Sequence, residues 1–256
     1  MLLAVDVGNT QTVMGLIEGE ELVAHWRLSS NAALTTDELR AKVASLLALE
    51  GRTLADVSHV ALSSVVPRLT AAWEDVAATA GCAAMVVGPG LKTGMPIRYD
   101  NPHEVGADRL VNGVAAYARF GGPVVVVDFG TATTIDVISA DGAYLGGAIA
   151  PGVETSAEAL FSKAARLSKV DLEAPPKAIG TNTRASVQAG LMLGEAAMVD
   201  GLVRRVWDEL GTETTVVATG GLAPTMAPLC DTIGEVDVDL TLTGLRLIFD
   251  RNRQER

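Results

Sequence analysis

The chain has 256 residues, of which 48% are hydrophobic, 20% charged and 4% aromatic, and it carries a net charge of −11. This is the composition of a folded chain of one large or two small domains. Its acidity argues against nucleic acid or an anionic membrane as the main partner, since both call for a basic surface, but a small anion needs only local donors and a metal. The two cysteines, Cys82 and Cys230, have no metal-type spacing and read as free thiols of a reducing compartment. No basic stretch precedes an apolar leader, and no run reaches the ~18 apolar residues of a membrane helix, so a cytoplasmic protein is expected.

Leu2–Val7 is an apolar run interrupted by Asp6 and followed by Gly8, Asn9, Thr10, Gln11, Thr12 and Val13. The run reads as a buried strand. A carboxylate at its end can hold Mg²⁺ directly or through water. Gly8 lets the backbone approach a phosphate, and Asn9, Thr10 and Thr12 supply donors, as do the N–H groups of the turn. The bland alternative is a strand and a polar turn. A second strand, the turn Glu18-Gly19-Glu20 and a third strand over Leu22–Leu28 follow. Thr36-Asp37-Glu38 opens a helix with a hydroxyl cap and an acidic first turn. Further on come a strand within Val57–Val66, a helix over Leu69–Ala80 and a strand at Ala84–Val87.

Lys92–Asp100 reads as a loop or edge strand. Asn101-Pro102-His103-Glu104 reads as a helix start, with Asn as cap and Pro in the first turn. Within the first turns of that helix stand Gly106, Ala107, Asp108 and Arg109. A glycine there costs about 1 kcal/mol relative to alanine, which suggests close approach to the backbone. Asp108 and Asn112 are four apart and share a face. A solvated, charged helix start explains the same residues equally well.

Gly121-Gly122-Pro123 is the candidate linker. Val124–Val127 then begins a second copy of the opening pattern: Asp128-Phe129-Gly130-Thr131-Ala132-Thr133-Thr134. At one constant offset, Asp6 corresponds to Asp128, Gly8 to Gly130 and Thr12 to Thr134. Each copy continues into a turn and a further strand. The pattern reads as an internal duplication of a supersecondary unit, with a nucleotide expected in a cleft between the halves. Beyond it come a strand over Tyr144–Ala150, a helix over about Ser156–Ala165, an irregular stretch over Lys169–Asn182 and one long helix over Thr183–Leu210. A strand at Thr215–Thr219 runs into Gly220-Gly221, the place where an open α/β sheet takes a ligand. A last strand over Val236–Leu240 and a helix over Leu242–Asp250 complete the chain.

His25, His59 and His103 are isolated and read as structural. Neither a phosphate-binding Gly-x-x-x-x-Gly-Lys-Ser/Thr nor a Gly-x-Ser-x-Gly elbow is present. A nucleotide phosphate site with a metal-holding carboxylate and a candidate base suits phosphoryl transfer, but composition and spacing do not name the acceptor.

Three meandering strands followed by β-α-β give the order of an RNase H-like unit. Six stretches together resemble the type III pantothenate kinases, members of the superfamily of acetate and sugar kinases and actin. They are Asp6–Thr10, Asn101–Arg109, Asp128–Thr134, Gly146–Gly152, Ile179–Thr183 and Ala218–Ala223, in the family's order across nearly the whole chain. The resemblance implies an α/β chain of two RNase H-like (actin-like ATPase) domains, 1–120 and 121–256, with an interdomain cleft. It implies transfer of a phosphoryl group from ATP to pantothenate, the first step of coenzyme A biosynthesis. The proton acceptor would be Asp108. Tyr99, Gly106, Ala107, Asp108, Arg109 and Thr183 would bind pantothenate, with Thr183 supplied by the other subunit of a homodimer. Asp6, Val7, Gly8, Asn9, Thr10, Gln11, Thr12, Val13 and Thr131 would bind ATP. Asp6 would position Mg²⁺, and Asp128 would hold the K⁺ or NH₄⁺ that the family requires. Gln11 stands where the family often has Asn, and Ser168 where it often has Pro. A catalytically silent nucleotide-binding regulator on the same fold, or a phosphatase or other small-molecule kinase, is the alternative.

Overall fold

The computed structural model describes residues 1–164, 167 and 169–253. The chain forms two compact units that interleave in sequence. The first comprises Met1–Met95, Asp100–Ala115 and the segment from Leu240 onward, and the second Pro96–Tyr99 and Ala116–Asp239. A single boundary after residue 120 differs from this division. A terminal helix that packs on the first sheet returns the chain's end to the first unit.

In the first unit β1 (Leu2–Val7), β2 (Gln11–Glu18), β3 (Glu21–Ser29), β4 (His59–Ser64) and β5 (Ala84–Val86) form one sheet in the order β3-β2-β1-β4-β5. β1 runs antiparallel to β2 and parallel to β4. Four helices cover the sheet: α1 (Thr36–Leu49), α2 (Pro67–Thr79), α3 (Ala107–Phe120) and α8 (Leu240–Arg253). Strand period 2 divides β1 between its faces. Leu3, Val5 and Val7 pack with Leu39 and Val43 of α1 and Trp73 and Val76 of α2. Leu2 and Ala4 pack with Val111 of α3 and with Leu242, Leu245 and Ile248 of α8. Burial on both faces explains why β1 reads as a nearly continuous apolar run.

Two helix starts differ from the sequence reading. The cap of α1 is Thr35, one residue before the expected hydroxyl. Glu38 N–H donates to Thr35 Oγ1, and Thr35 N–H donates to Glu38 Oε2 at 2.8 Å, forming a capping box. The helix expected from Asn101 is two elements. Asn101 caps only a 3₁₀ turn over Pro102–Glu104, and the chain straightens at Val105 before α3 begins at Ala107. Gly106 therefore precedes the helix and carries no interior helix penalty.

The second unit repeats the plan. β6 (Val124–Phe129), β7 (Ala132–Ile138), β8 (Tyr144–Pro151), β9 (Thr215–Thr219) and β10 (Glu235–Val236) form a sheet in the order β10-β9-β6-β7-β8, the first topology read from its other edge. α4 (Val153–Lys163), α5 (Thr183–Gln188), α6 (Gly194–Leu210) and the short α7 (Ala223–Met226) accompany it. Val125, Val127 and Phe129 pack with Ala196, Val199 and Val203 of α6 and Met226 of α7. A π-turn over Ala189–Leu193 joins α5 to α6, so the expected long helix is continuous but locally widened. The helix expected to reach Ala165 ends at Lys163 within the described residues, and Ala165 and Ser168 lie outside them. The expected last strand shortens to Glu235–Val236, and α8 starts earlier than expected, at Leu240.

The duplication is real in topology, but its constant offset fails at the second strand. Val7 faces Thr12 across the first hairpin, while Phe129 faces Thr133 across the second. The first turn closes with Gly8 N–H donating to Gln11 O, the second with Gly130 N–H donating to Ala132 O, one residue sooner. Thr12 thus corresponds to Thr133, not Thr134. A one-residue slip moves a side chain to the opposite face, and Thr12 and Thr133 are both buried at 3% and 2% exposure.

Candidate functional site

In the first unit the predicted residues fall at one end of β1 and at the start of α3. Asp6 lies on the same sheet face as Leu2 and Ala4, the face against which α3 packs. The turn beyond it is tight: Gly8 N–H donates to Gln11 O at 3.0 Å, and a Cβ at Gly8 would stand 2.9 Å from that oxygen. Thr10 O accepts from Ser30 N–H at 2.8 Å, and Thr12 Oγ1 pairs with Ser30 Oγ at 2.8 Å. The turn is therefore tied to Ser30, the residue that follows β3, while Asn9, Thr10 and Gln11 are exposed. Ser63 stands in register with Asp6 on β4, fully buried, with no hydrogen-bond partner for its hydroxyl among the described residues. The sequence reading passed over it as an ordinary strand residue.

Asp108 occupies the first turn of α3, and its Oδ1 accepts from Arg109 N–H at 2.9 Å. A Cβ on Gly106 would stand 2.4 Å from that same Oδ1. Arg109 is buried, at 7% exposure. The helix is seated by its neighbour: Asn112 Oδ1 accepts from Thr241 Oγ1 at 2.7 Å, and Gly244 lies so close that a Cβ there would stand 2.1 Å from Val111 O. These α8 contacts were not legible as site features, because they join residues about 130 positions apart.

In the second unit Asp128 is the penultimate residue of β6, in register with Thr219 of β9. Gly220 follows with φ +92°, and a Cβ there would stand 2.4 Å from Asp128 Oδ1 and 2.6 Å from Phe129 O. Thr131 O accepts from Gly152 N–H at 3.1 Å and from Thr155 Oγ1 at 2.7 Å, so the start of α4 grips the second turn. Thr133 Oγ1 donates to Glu195 Oε1 on α6, and burial pushes the Glu195 carboxyl above its ordinary range against the pull of that bond. Thr155 and Glu195 were missed, since neither belongs to a recognisable motif.

Tyr99 lies at the edge of the same sheet. Its segment bridges to β8 through Ile97 and Tyr144, and its ring stands 6.2 Å from the Tyr144 ring. Thr183 opens α5, with Asn182 as the cap that accepts from Ala185 N–H at 2.9 Å. It lines a cavity of about 780 Å³ with Leu160, Leu167, Asn182, Val187 and Leu191, a lining that includes neither Tyr99, Asp128 nor Thr131.

Among the described residues no group of three or more His, Cys, Asp or Glu could hold a metal ion by itself. Mg²⁺ does not need such a cage, because it commonly binds through one or two carboxylates and substrate phosphates. One carboxylate, Asp6, beside a turn of donors fits that pattern. No helix among these residues is long and apolar enough to cross a membrane.

Residues 2–205 match the family model described as type III pantothenate kinase. The chain is 51% identical over 253 residues to the type III pantothenate kinase of Moorella thermoacetica, covering 98% of this chain and 100% of the relative. It is 52% identical over 254 residues to that of Anaeromyxobacter sp. strain K, covering 99% and 100%. Among solved structures, component A of the Acidaminococcus fermentans (R)-2-hydroxyglutaryl-CoA dehydratase aligns with a TM-score of 0.60 at 15% identity, over 100% of this chain and 99% of that one, a likeness of fold alone.

Proposed function

The chain belongs to the type III pantothenate kinase family and uses ATP with a divalent metal to phosphorylate pantothenate, the first step of coenzyme A biosynthesis; we propose that Asp108 is the base of that reaction. The supporting observation is its setting. Gly106 leaves room for the carboxylate at the start of α3, and the buried Arg109 follows directly. A carboxylate so held can take the proton of an attacking alcohol. The primary hydroxyl oxygen of pantothenate forms a bond to the γ-phosphorus, the bond from that phosphorus to the bridging oxygen breaks, and ADP leaves. The proton ends on Asp108.

The other residues position and neutralise, which is most of what phosphoryl transfer asks of a protein. Arg109 presents a planar guanidinium to the pantothenate carboxylate, and Gly106, Ala107 and Tyr99 also bind pantothenate. Thr183, which lines a cavity with Leu160 and Leu191, reaches the substrate from the second subunit of a homodimer. The turn from Asp6 to Val13, with Thr131, holds the ATP phosphates, and Asp6 carries the Mg²⁺ that spreads their charge. Asp128 holds K⁺ or NH₄⁺, and the missing Cβ of Gly220 leaves space beside its carboxylate. The protein works in the cytoplasm.

The test is ADP release with Mg-ATP, with and without pantothenate, in K⁺ and in Na⁺ buffer, with sedimentation to fix the assembly. Turnover that needs pantothenate and K⁺, and that Asp108→Asn abolishes in a folded protein, supports the assignment. Normal turnover by Asp108→Asn removes Asp108 as the base, and equal rates in K⁺ and Na⁺ remove the cation site.

A further inference from the structure

Tyr144 is a buried tyrosine that the reaction as described does not use. It is fully buried at the start of β8, and its hydroxyl donates to Asp136 Oδ1 at 2.8 Å. Asp136 is itself fully buried on β7, and its other oxygen accepts from Thr134 Oγ1 at 3.0 Å. Burying a carboxylate in a sheet rich in valine is costly unless its oxygens are bonded. An apolar pair would fill the same space without that cost, so the arrangement calls for a use. Its geometry supplies one. Tyr144 N–H donates to Pro96 O and Tyr144 O accepts from Arg98 N–H, each at 2.8 Å. The strap Pro96–Tyr99 is thereby stitched to the edge of the second sheet. At the end of that strap stands Tyr99, 37% exposed, its ring tilted at 51° against the Tyr144 ring. Gly146, at φ +119°, takes a backbone form that favours glycine, and a Cβ there would come within 3.2 Å of the Tyr99 ring. Arg98 is anchored in turn by an ion pair with Asp141.

We propose that Tyr144, locked by Asp136, is a positioning residue that sets the Tyr99 ring for pantothenate. The inference rests on the reading of Tyr99 as a pantothenate-binding residue. Ordinary core packing would serve the whole unit, whereas this chain of contacts ends on one exposed ring.

The experiment compares full-length Tyr99→Ala, Tyr144→Phe and Asp136→Asn with the parent protein by thermal melting and by separate KM values for pantothenate and ATP. Tyr99→Ala is expected to raise the pantothenate KM at least tenfold. Tyr144→Phe keeps the ring but loses the lock, and is expected to raise the pantothenate KM about fivefold to tenfold, with the ATP KM within about twofold. Asp136→Asn keeps an acceptor for the phenol and is expected to fall between Tyr144→Phe and the parent. If Tyr99→Ala raises the pantothenate KM and a folded Tyr144→Phe does not, or if Tyr144→Phe raises both KM values equally, the inference is overturned while the reading of Tyr99 stands. If Tyr99→Ala leaves the pantothenate KM unchanged, that reading falls and the inference with it. Should Tyr144→Phe fail to fold, Asp136→Asn carries the same comparison, and an unchanged pantothenate KM overturns the inference.

Discussion

A Cβ on Gly106 would stand 2.4 Å from Asp108 Oδ1, closer than real Cβ contacts come. The obstructing atom is the end of a flexible side chain rather than backbone, and Gly106 does not take the left-handed conformation. Gly106→Ala should therefore leave the fold intact and displace the carboxylate. A misplacement of about 1 Å at a reacting group can cost about 100-fold. We expect kcat to fall at least tenfold at an unchanged melting temperature. A variant with the parent's kcat would show that the position of this carboxylate is not critical.

Gly244→Ala should act through stability. Alanine usually improves on glycine within a helix by about 0.5–1 kcal/mol. Here the new methyl would meet Val111 O at 2.1 Å, a backbone atom, so α8 must move away from α3. Overpacking of this kind costs about 1–3 kcal/mol. At about 2–4 °C per kcal/mol for a chain of this size, thermal melting should drop by several degrees. An unchanged or raised melting temperature would contradict the close packing of the two helices.

Thr155→Ala removes a side-chain donor to the Thr131 carbonyl, which also accepts from Gly152 N–H. Losing one hydrogen bond of about 1 kcal/mol from a turn read as an ATP contact should raise the ATP KM about threefold to tenfold. The pantothenate KM should stay where it is. Steady-state kinetics with each substrate varied in turn decides this, and a shift confined to pantothenate would place the turn on the wrong substrate.

Glu195 supplies a pH dependence with a definite sign. Its folded carboxyl titrates above the ordinary 4.5 because burial disfavours the charge. The folded state therefore holds this proton more tightly than the unfolded chain. The stability linked to it is complete below about pH 4.5 and is lost as pH rises through the raised value. Glu195→Gln keeps an acceptor for Thr133 and removes the charge. It should melt higher than the parent at pH 7.5, with the advantage fading toward pH 4. Melting curves at the two pH values measure it, and a constant difference would show that Glu195 does not titrate in that window.

The central strands β1 and β6 were legible because a strand buried on two faces is apolar along nearly its whole length. Asp6 and Asp128 stood out for the same reason, as carboxylates at the ends of such runs. The hairpin correspondence was less legible. A constant offset paired Thr12 with Thr134, but pairing across the strands assigns Thr133 instead. Turn length is decided by backbone hydrogen bonds, and one residue fewer between Gly130 and Ala132 leaves no mark in composition. Gly106 was noticed for a helix penalty it does not pay, since the break at Val105 depends on how Asn101 caps a 3₁₀ turn.

The sequence by itself determined the duplicated α/β plan, the two Asp-x-Gly turns, the place of Asp108 and Arg109 and the family. These are local patterns, fixed by side-chain period and by the chemistry of a few adjacent residues. Only the tertiary structure decided that the terminal helix belongs to the first sheet, that Gly244 packs against Val111 of α3, that Thr155 grips the second turn and that Glu195 holds Thr133 of β7. It alone joined Asp136 and Tyr144 to Tyr99. The physical reason is distance along the chain. A hydrogen bond or a steric contact between residues 24, 62 or about 130 positions apart comes from packing, and no short window of sequence contains both partners.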